Sequence, residues 1–155
     1  MRICLGLMLC LLATVSQALE VGERLAPWTL LDQYEQPYSL DDQLQLLLVA
    51  RDMDGAKLVK AALEGQPKGY LEGRRAMFLA DISRMPALVS RLFAVPAMRD
   101  YNYRVLLDRE SRVASRYPGQ ASQVLWLRLD HGKLAEQREF SDAAALRAAL
   151  ESLAP

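Results

Sequence analysis

A short charged turn follows an apolar run and is the first place to look for chemistry. The run LQLLLVA at 44–50 leads into RDMDGAK, whose residues are Arg51, Asp52, Met53, Asp54, Gly55, Ala56 and Lys57. Charged side chains at the carboxyl end of a buried strand lie where α/β folds bind ligands, so the pattern predicts a small polar binding site. The competing interpretation, which we favour, is that Asp54 caps the following helix and the other charges form a solvated turn.

Few other side chains could bind a metal ion or act as a base. The one histidine, His131, follows Asp130 in a predicted hairpin turn, and no serine in a nucleophile-elbow context accompanies it. Methionine binds copper but also fills cores, and the methionines beyond the N-terminal segment are Met53, Met77, Met85 and Met98. A single glycine in the 51–57 turn is not the Gly-rich turn of a nucleotide site. We therefore predict no metal and no cofactor.

Arginine and tyrosine, which are favoured in protein interfaces, cluster in AVPAMRDYNYR at 94–104. The cluster consists of Arg99, Tyr101, Tyr103 and Arg104. It predicts an exposed patch for a protein partner. Because Tyr103 alternates with Val105 and Leu107, one tyrosine of the pair could instead belong to the core.

The first 18 residues have the features of a secretory signal. Arg2 precedes the apolar run ICLGLMLCLLATV, and Ser16 and Ala18 form a Ser-x-Ala cleavage site. The run is shorter than the roughly 20 residues that cross a membrane. We expect cleavage after Ala18, a single domain over 19–155, no remaining membrane anchor and a periplasmic location.

Cysteine and charge usage exclude classes of function. Both cysteines, Cys4 and Cys10, lie in the expected signal, so the processed chain has no thiol for redox catalysis, disulfide formation or metal binding. The full chain has 19 basic and 19 acidic residues. Because this balance offers no cationic excess to neutralise phosphates, nucleic acid is not an expected partner.

The remaining sequence predicts alternating strands and helices. An N-terminal hairpin is expected around the turn-prone DQYEQP at 32–37. Further strands are expected at 44–49, 76–80, 103–107, 124–129 and 134–140, the last two joined by a turn with Gly132 at a positive φ. Helices are expected from Asp54, from Pro86 and from Asp142, the last capped by Ser141.

Apolar residues at helical spacing predict that the helix beginning at Pro86 packs on the sheet. Its buried stripe comprises Leu88, Val89, Leu92 and Phe93, and Val95-Pro96 is expected to end it. Alternating strands and helices imply parallel crossovers, and the closing hairpin adds antiparallel strands. The predicted fold class is α/β, with a central mixed sheet flanked by helices, an N-terminal β-hairpin and a C-terminal hairpin followed by a helix.

This order of elements resembles the thioredoxin fold with the N-terminal hairpin of its peroxiredoxin-like branch. The opening GERLAPWTLLDQYEQPYSLDD is similar to the start of that branch, and VLWLRLDHGKLAEQREFSDAAALRAAL resembles the thioredoxin C-terminal hairpin and helix. The segment DYNYRVLLDRESRVASRYPGQASQVLWLRLDHGKL resembles the YtfJ-like periplasmic proteins of uncertain role. The resemblance implies a thioredoxin-like domain over most of residues 19–155.

Two departures from the thioredoxin pattern bear on function. The motif Trp-Cys-x-x-Cys-Lys aligns with Asp52 to Lys57, so Met53 and Ala56 occupy the two sulfur positions. The proline that precedes the closing hairpin in thioredoxins is absent, because Ala121 to Gln123 lie there. We predict an exported, non-catalytic thioredoxin-like protein that binds a protein or a small ligand. The alternative is a thiol-independent enzyme or a copper-handling protein that uses the charged turn or the methionines.

Overall fold

Seven strands form one mixed sheet in a computed structural model that describes residues 18–155. The strands are β1 (Thr29–Asp32), β2 (Pro37–Ser39), β3 (Leu46–Ala50), β4 (Ala76–Asp81), β5 (Val105–Asp108), β6 (Val124–Asp130) and β7 (Lys133–Phe140). Their spatial order is β2-β1-β5-β4-β3-β6-β7. Strands β3, β4 and β5 are parallel, and the other neighbouring pairs are antiparallel. This confirms the predicted mixed α/β sheet, whereas the predicted signal lies outside the described residues apart from Ala18.

Helices connect the strands, and most of them cover one face of the sheet, whereas the 3₁₀ turn packs on the other face. They are α1 (Met53–Ala62), α2 (Tyr70–Gly73), α3 (Ala87–Val89), a π-helical turn (Ser90–Ala94), α4 (Val95–Met98), a 3₁₀ turn (Ala114–Arg116) and α5 (Ala143–Glu151). The N-cap of α5 is Asp142, whose carboxylate accepts a hydrogen bond from Ala145 N. The prediction of Ser141 as this cap is therefore wrong by one residue. None of the helices in residues 18–155 is long and apolar enough to cross a membrane.

The core has two layers because successive strand residues point to opposite faces of the sheet. In β3, Leu46 and Leu48 pack with α1, α2 and α5, whereas Leu47 and Val49 pack on the other face. That second face is covered by the N-terminal arm, where the buried Trp28 donates a hydrogen bond to Tyr117 Oη at 2.8 Å. Every residue of β3 is buried, as the continuous apolar run predicted.

Buried polar side chains hold the backbone at both ends of β5. The Gln33 side chain accepts a hydrogen bond from Val105 N and donates one to Tyr103 O. The Asp108 carboxylate accepts hydrogen bonds from three backbone N–H groups of the following turn, those of residues 112, 113 and 114. Each of these polar groups is therefore satisfied despite its burial.

Two predictions for the helix after Pro86 are wrong. Its apolar stripe is not buried, and the helical path does not end at Val95-Pro96. Its predicted core residues are exposed, with exposed fractions of 60% for Leu88, 43% for Val89, 53% for Leu92 and 69% for Phe93. The buried residues of α3, the π-helical turn and α4 are Ser90 and Val95.

Pro96 explains both differences. It has no N–H to donate to the carbonyl four residues earlier, and the chain forms a π-helical turn just before it, in which Val95 N donates to Ser90 O. The helical path therefore continues to Met98. Ser90 and Val95 share the inward side because π-helical bonding joins residues five apart, and the apolar stripe faces solvent.

Candidate functional site

A cavity of about 460 Å³ opens at the carboxyl ends of β3 and β4, next to the 51–57 turn. Its apolar wall includes Met53, Ala56, Ile82, Met85, Val89 and Met98. The charged residues at its edge are Arg51, Asp52, Asp54, Asp81 and Arg84. The volume is typical of sites for small ligands or single side chains. The predicted binding position thus coincides with a cavity, although its wall is more apolar than the sequence suggested.

Asp52, and not Asp54, is the N-cap of α1. Its Oδ1 accepts a hydrogen bond from Gly55 N at 2.8 Å, and its Oδ2 accepts one from Ser122 N at 2.7 Å. Asp54 lies inside the first turn of the helix, where Ser122 Oγ donates to it at 3.3 Å and Lys57 Nζ lies 3.8 Å away. The prediction of Asp54 as the cap is wrong, because the extended backbone that a cap requires occurs at Asp52.

Gly55 allows α1 to approach the loop that precedes β6. A Cβ atom at this position would lie 2.7 Å from the carbonyl oxygen of Gln123 and 3.3 Å from the Ala50 Cβ. The loop 121–123 contacts the start of α1 through the backbone of Ser122 and Gln123 and through the Ser122 hydroxyl. The glycine is therefore required by close packing and not by a positive φ.

Arg51 and Asp81 are two of the charged residues that line the cavity. Burial opposes ionisation of the Asp81 carboxyl, but hydrogen bonds from Ser111 Oγ and Ser83 N, with the charge of Arg51, outweigh it and hold the pKa of Asp81 below its usual value. Asp81 is therefore a carboxylate at neutral pH. The Arg51 Nε is buried and has no hydrogen-bond partner within residues 18–155.

Three of the four methionines beyond the N-terminal segment line the same cavity. Met53 is 59% exposed at its edge, and Met85 and Met98 come from the segments on either side of α3. Met77 is buried on the opposite face of the sheet, among the core residues that contact Leu79 and Leu106. Local sequence patterns missed this convergence, because the three residues come from different parts of the chain.

His131 lies far from this site. Strand β6 runs antiparallel to β3, with Val124 beside Ala50, so the turn after β6 lies near the amino-terminal end of β3, away from the cavity. The His131 Nδ1 lies 2.6 Å from Asp130 Oδ1, and both side chains are exposed, as expected for a solvated turn. Within residues 18–155, no group of three or more His, Cys, Asp or Glu side chains is placed to hold a metal ion.

The predicted partner patch does not form one exposed surface. Tyr103 is buried and packs against Phe78 and Tyr101, so it is the tyrosine that belongs to the core. Arg104 Nε donates to the buried Asp32 carboxylate at 2.6 Å, and Arg99 Nε donates to Gln33 O at 2.8 Å. Both arginines therefore hold the β1–β2 turn against the segment before β5.

Comparison with known proteins defines the fold. No family model and no curated protein matches the chain. Among solved structures it is similar to the peroxidoxin BcpB from Mycobacterium tuberculosis, with 17% identity and a TM-score of 0.54 over 88% of this chain and 99% of that one. It is also similar to the thioredoxin domain of a thiol-disulfide oxidoreductase from Bacteroides vulgatus, with 14% identity and a TM-score of 0.54 over 86% and 97%. The chain has a thioredoxin-like fold.

A third similar structure, a peroxiredoxin-like protein from Aquifex aeolicus, has 14% identity and a TM-score of 0.53 over 90% of this chain and 91% of that one. At such identities the similarity describes the fold alone. The thioredoxin-like arrangement places the 51–57 turn at the start of α1, and residues 19–155 contain no cysteine. What this site does must therefore be argued from its own side chains.

Changing Gly55 to alanine should destabilise the protein by about 1–3 kcal/mol, because the added methyl overpacks against the Gln123 carbonyl. The matched control is Gly73→Ala in α2, where an added Cβ has no atom within 4 Å. That change should be neutral or stabilising by up to about 1 kcal/mol. Urea unfolding of both variants tests this, and equal stability losses would contradict the close approach.

Changing Asp52 to alanine should lower the free energy of unfolding by about 2 kcal/mol, since it removes the helix cap and a second backbone acceptor. The same change at Asp54 should cost less than about 0.5 kcal/mol, because its contacts are exposed. Chemical denaturation of the pair measures the difference. A larger loss at Asp54 would restore it as the cap.

Proposed function

We propose that this protein is an exported, non-catalytic thioredoxin-like protein that binds an apolar group of a protein partner or a small ligand beside the 51–57 turn. The observation that carries the proposal is the cavity of about 460 Å³ at this turn, which Met53 and Ala56 line. The thioredoxin resemblance aligns these two residues with the redox sulfurs. Open apolar cavities with a few polar groups at the carboxyl edge of an α/β sheet are typical ligand sites.

The polar groups around the cavity support binding over catalysis. Both carboxylate oxygens of Asp52 accept hydrogen bonds from backbone N–H groups. Those of Asp81 accept hydrogen bonds from Ser83 and Ser111. The hydrogen bonds of Asp52 hold the backbone in place, and those of Asp81 keep its pKa below the usual value, which makes it a weak general base. The alternative of a thiol-independent enzyme has correspondingly less support.

Arg51 indicates the chemistry of the bound group. Arg51 lines the cavity together with three carboxylates and Arg84. Its Nε is buried against the backbone at Gly119 and has no hydrogen-bond partner within residues 18–155. The positive charge of its guanidinium is what an anionic or carbonyl group of a ligand would bind. We infer that the ligand joins an apolar group to a hydrogen-bond acceptor. A partner protein could supply both from one apolar side chain and its own backbone.

Export and the finer family assignment rest on sequence. Residues 1–18 support a cleaved signal and a periplasmic location, with 19–155 as one domain, and the segment 100–134 supports kinship with the YtfJ-like proteins. Separating periplasm from cytoplasm and determining the N-terminal residue of the protein tests export. A periplasmic chain beginning at Leu19 supports it, and a cytoplasmic chain with an intact Met1 contradicts it.

The fluorescent probe 8-anilinonaphthalene-1-sulfonate, an aromatic anion, matches the inferred ligand chemistry. Changing Ala56 to tryptophan fills the cavity from the first turns of α1 and should weaken binding of the probe at least about tenfold, since about 1.4 kcal/mol of lost contact is sufficient. Arg51→Met should weaken it by a similar factor by removing the charge. The measurement is a fluorescence titration of each purified variant.

The matched control is Ala61→Trp, an exposed position on the same helix outside the cavity. It should leave the probe affinity unchanged. Ala56→Leu, a smaller filling substitution, keeps the test valid if the tryptophan variant unfolds. Equal probe binding by all variants would refute the cavity as the site. Reduction of insulin disulfides or peroxide turnover by the purified protein would refute the non-catalytic assignment.

Copper binding is a second candidate, favoured by the convergence of Met53, Met85 and Met98 on one cavity. Thioether sulfur is a ligand for Cu(I). If this candidate holds, changing all three methionines to leucine should abolish competition for Cu(I) against a chromogenic chelator, whereas Met77→Leu should not, because Met77 is buried on the other face of the sheet. Failure of the unchanged protein to compete would remove the candidate.

A further inference from the structure

The helical segment 87–98 presents an apolar ridge, formed by Leu88, Val89, Leu92 and Phe93, to solvent. These four residues and Met53 are five of the eight large apolar side chains that are exposed in residues 18–155. Three of the four, Leu88, Leu92 and Phe93, do not line the cavity. Such a concentration of exposed apolar side chains indicates an interaction surface.

Positive charge accompanies the ridge. From Ile82 to Arg99 the sequence carries three arginines, Arg84, Arg91 and Arg99, and no aspartate or glutamate. All three are exposed, and none forms a salt bridge within residues 18–155. Asp81 and Asp100 flank this stretch, and Asp81 is bonded to Ser83 and Ser111, so the positive charge is confined to the ridge itself. An apolar stripe flanked by arginine is the pattern of helices that lie in the interface of an anionic bilayer.

We propose that the apolar ridge and its arginines dock this protein on an anionic membrane surface. The side chains project from a helix, so a flat interface can receive them without a complementary groove. A second copy is disfavoured because a two-fold contact through the ridge would bring like charges together. Val89 belongs both to the ridge and to the cavity wall, so the ridge adjoins the cavity.

A tryptophan placed on the ridge gives a local readout. The two natural tryptophans, Trp28 and Trp126, are buried, so the indole introduced by Phe93→Trp reports on the ridge even if another segment binds lipid. The full-length protein is mixed with phosphatidylcholine vesicles, with or without phosphatidylglycerol. Anionic vesicles should shift the emission of this indole to shorter wavelength and, when brominated, quench it, whereas zwitterionic vesicles should not.

In the Phe93→Trp protein, Arg84→Gln with Arg91→Gln should weaken binding to anionic vesicles about thirtyfold, because each cation near such a surface contributes about fivefold. The control Leu31→Trp places an indole on an exposed apolar position of β1, and its emission should not respond. Equal responses to both lipid compositions, no response, or an unchanged affinity of the arginine variant would overturn the proposal. An emission shift that follows protein concentration without lipid would assign the ridge to self-association instead.

Discussion

The junction between the start of α1 and the loop before β6 is the constraint on which the site depends. One carboxylate, that of Asp52, accepts hydrogen bonds from Gly55 N and Ser122 N, so the same group caps the helix and holds the loop. Gly55 lets the two backbones meet, because a Cβ there would lie 2.7 Å from the Gln123 carbonyl oxygen. Since β3 and β6 are adjacent, this junction closes the edge of the sheet beside the cavity.

The same junction explains how this helix start is stable without a thiolate. A helix N-terminus favours negative charge and lowers the pKa of a thiol placed there. Here the Asp52 carboxylate supplies that charge, and its two oxygens bond to backbone N–H groups. Met53, the next residue, is neutral and can contribute its side chain to the cavity wall. The helix start therefore has a negative charge without sulfur, and the side chain of Met53 lines the cavity beside it.

Sequence patterns predicted the sheet because the burial of a strand is visible in its apolar residues. Strand β3, for example, is apolar throughout and buried throughout. The same patterns placed the cap of α1 two residues too late, at Asp54, and the cap of α5 one residue too early, at Ser141. Neighbouring residues offer equivalent oxygens, and only the backbone angles select Asp52 and Asp142. The lowered pKa of Asp81 was beyond local patterns, since one of its causes is the hydrogen bond from Ser111, thirty residues away. Parallel topology alone could have placed Asp81 beside the 51–57 turn, because β3 and β4 end at the same edge.

The helical segment 87–98 shows a pattern failing for a definable reason. Its apolar spacing fits a regular helix, but Pro96 cannot complete a regular ladder, and the π-helical turn puts Ser90 and Val95 on the inward side. The stripe that would have joined the core faces solvent beside a cavity lined by methionine, whose flexible side chain adapts to different ligands. Removing exposed apolar surface from water is favourable. The π-helical turn that departs from the regular pattern therefore also leaves an apolar surface at the carboxyl ends of the strands.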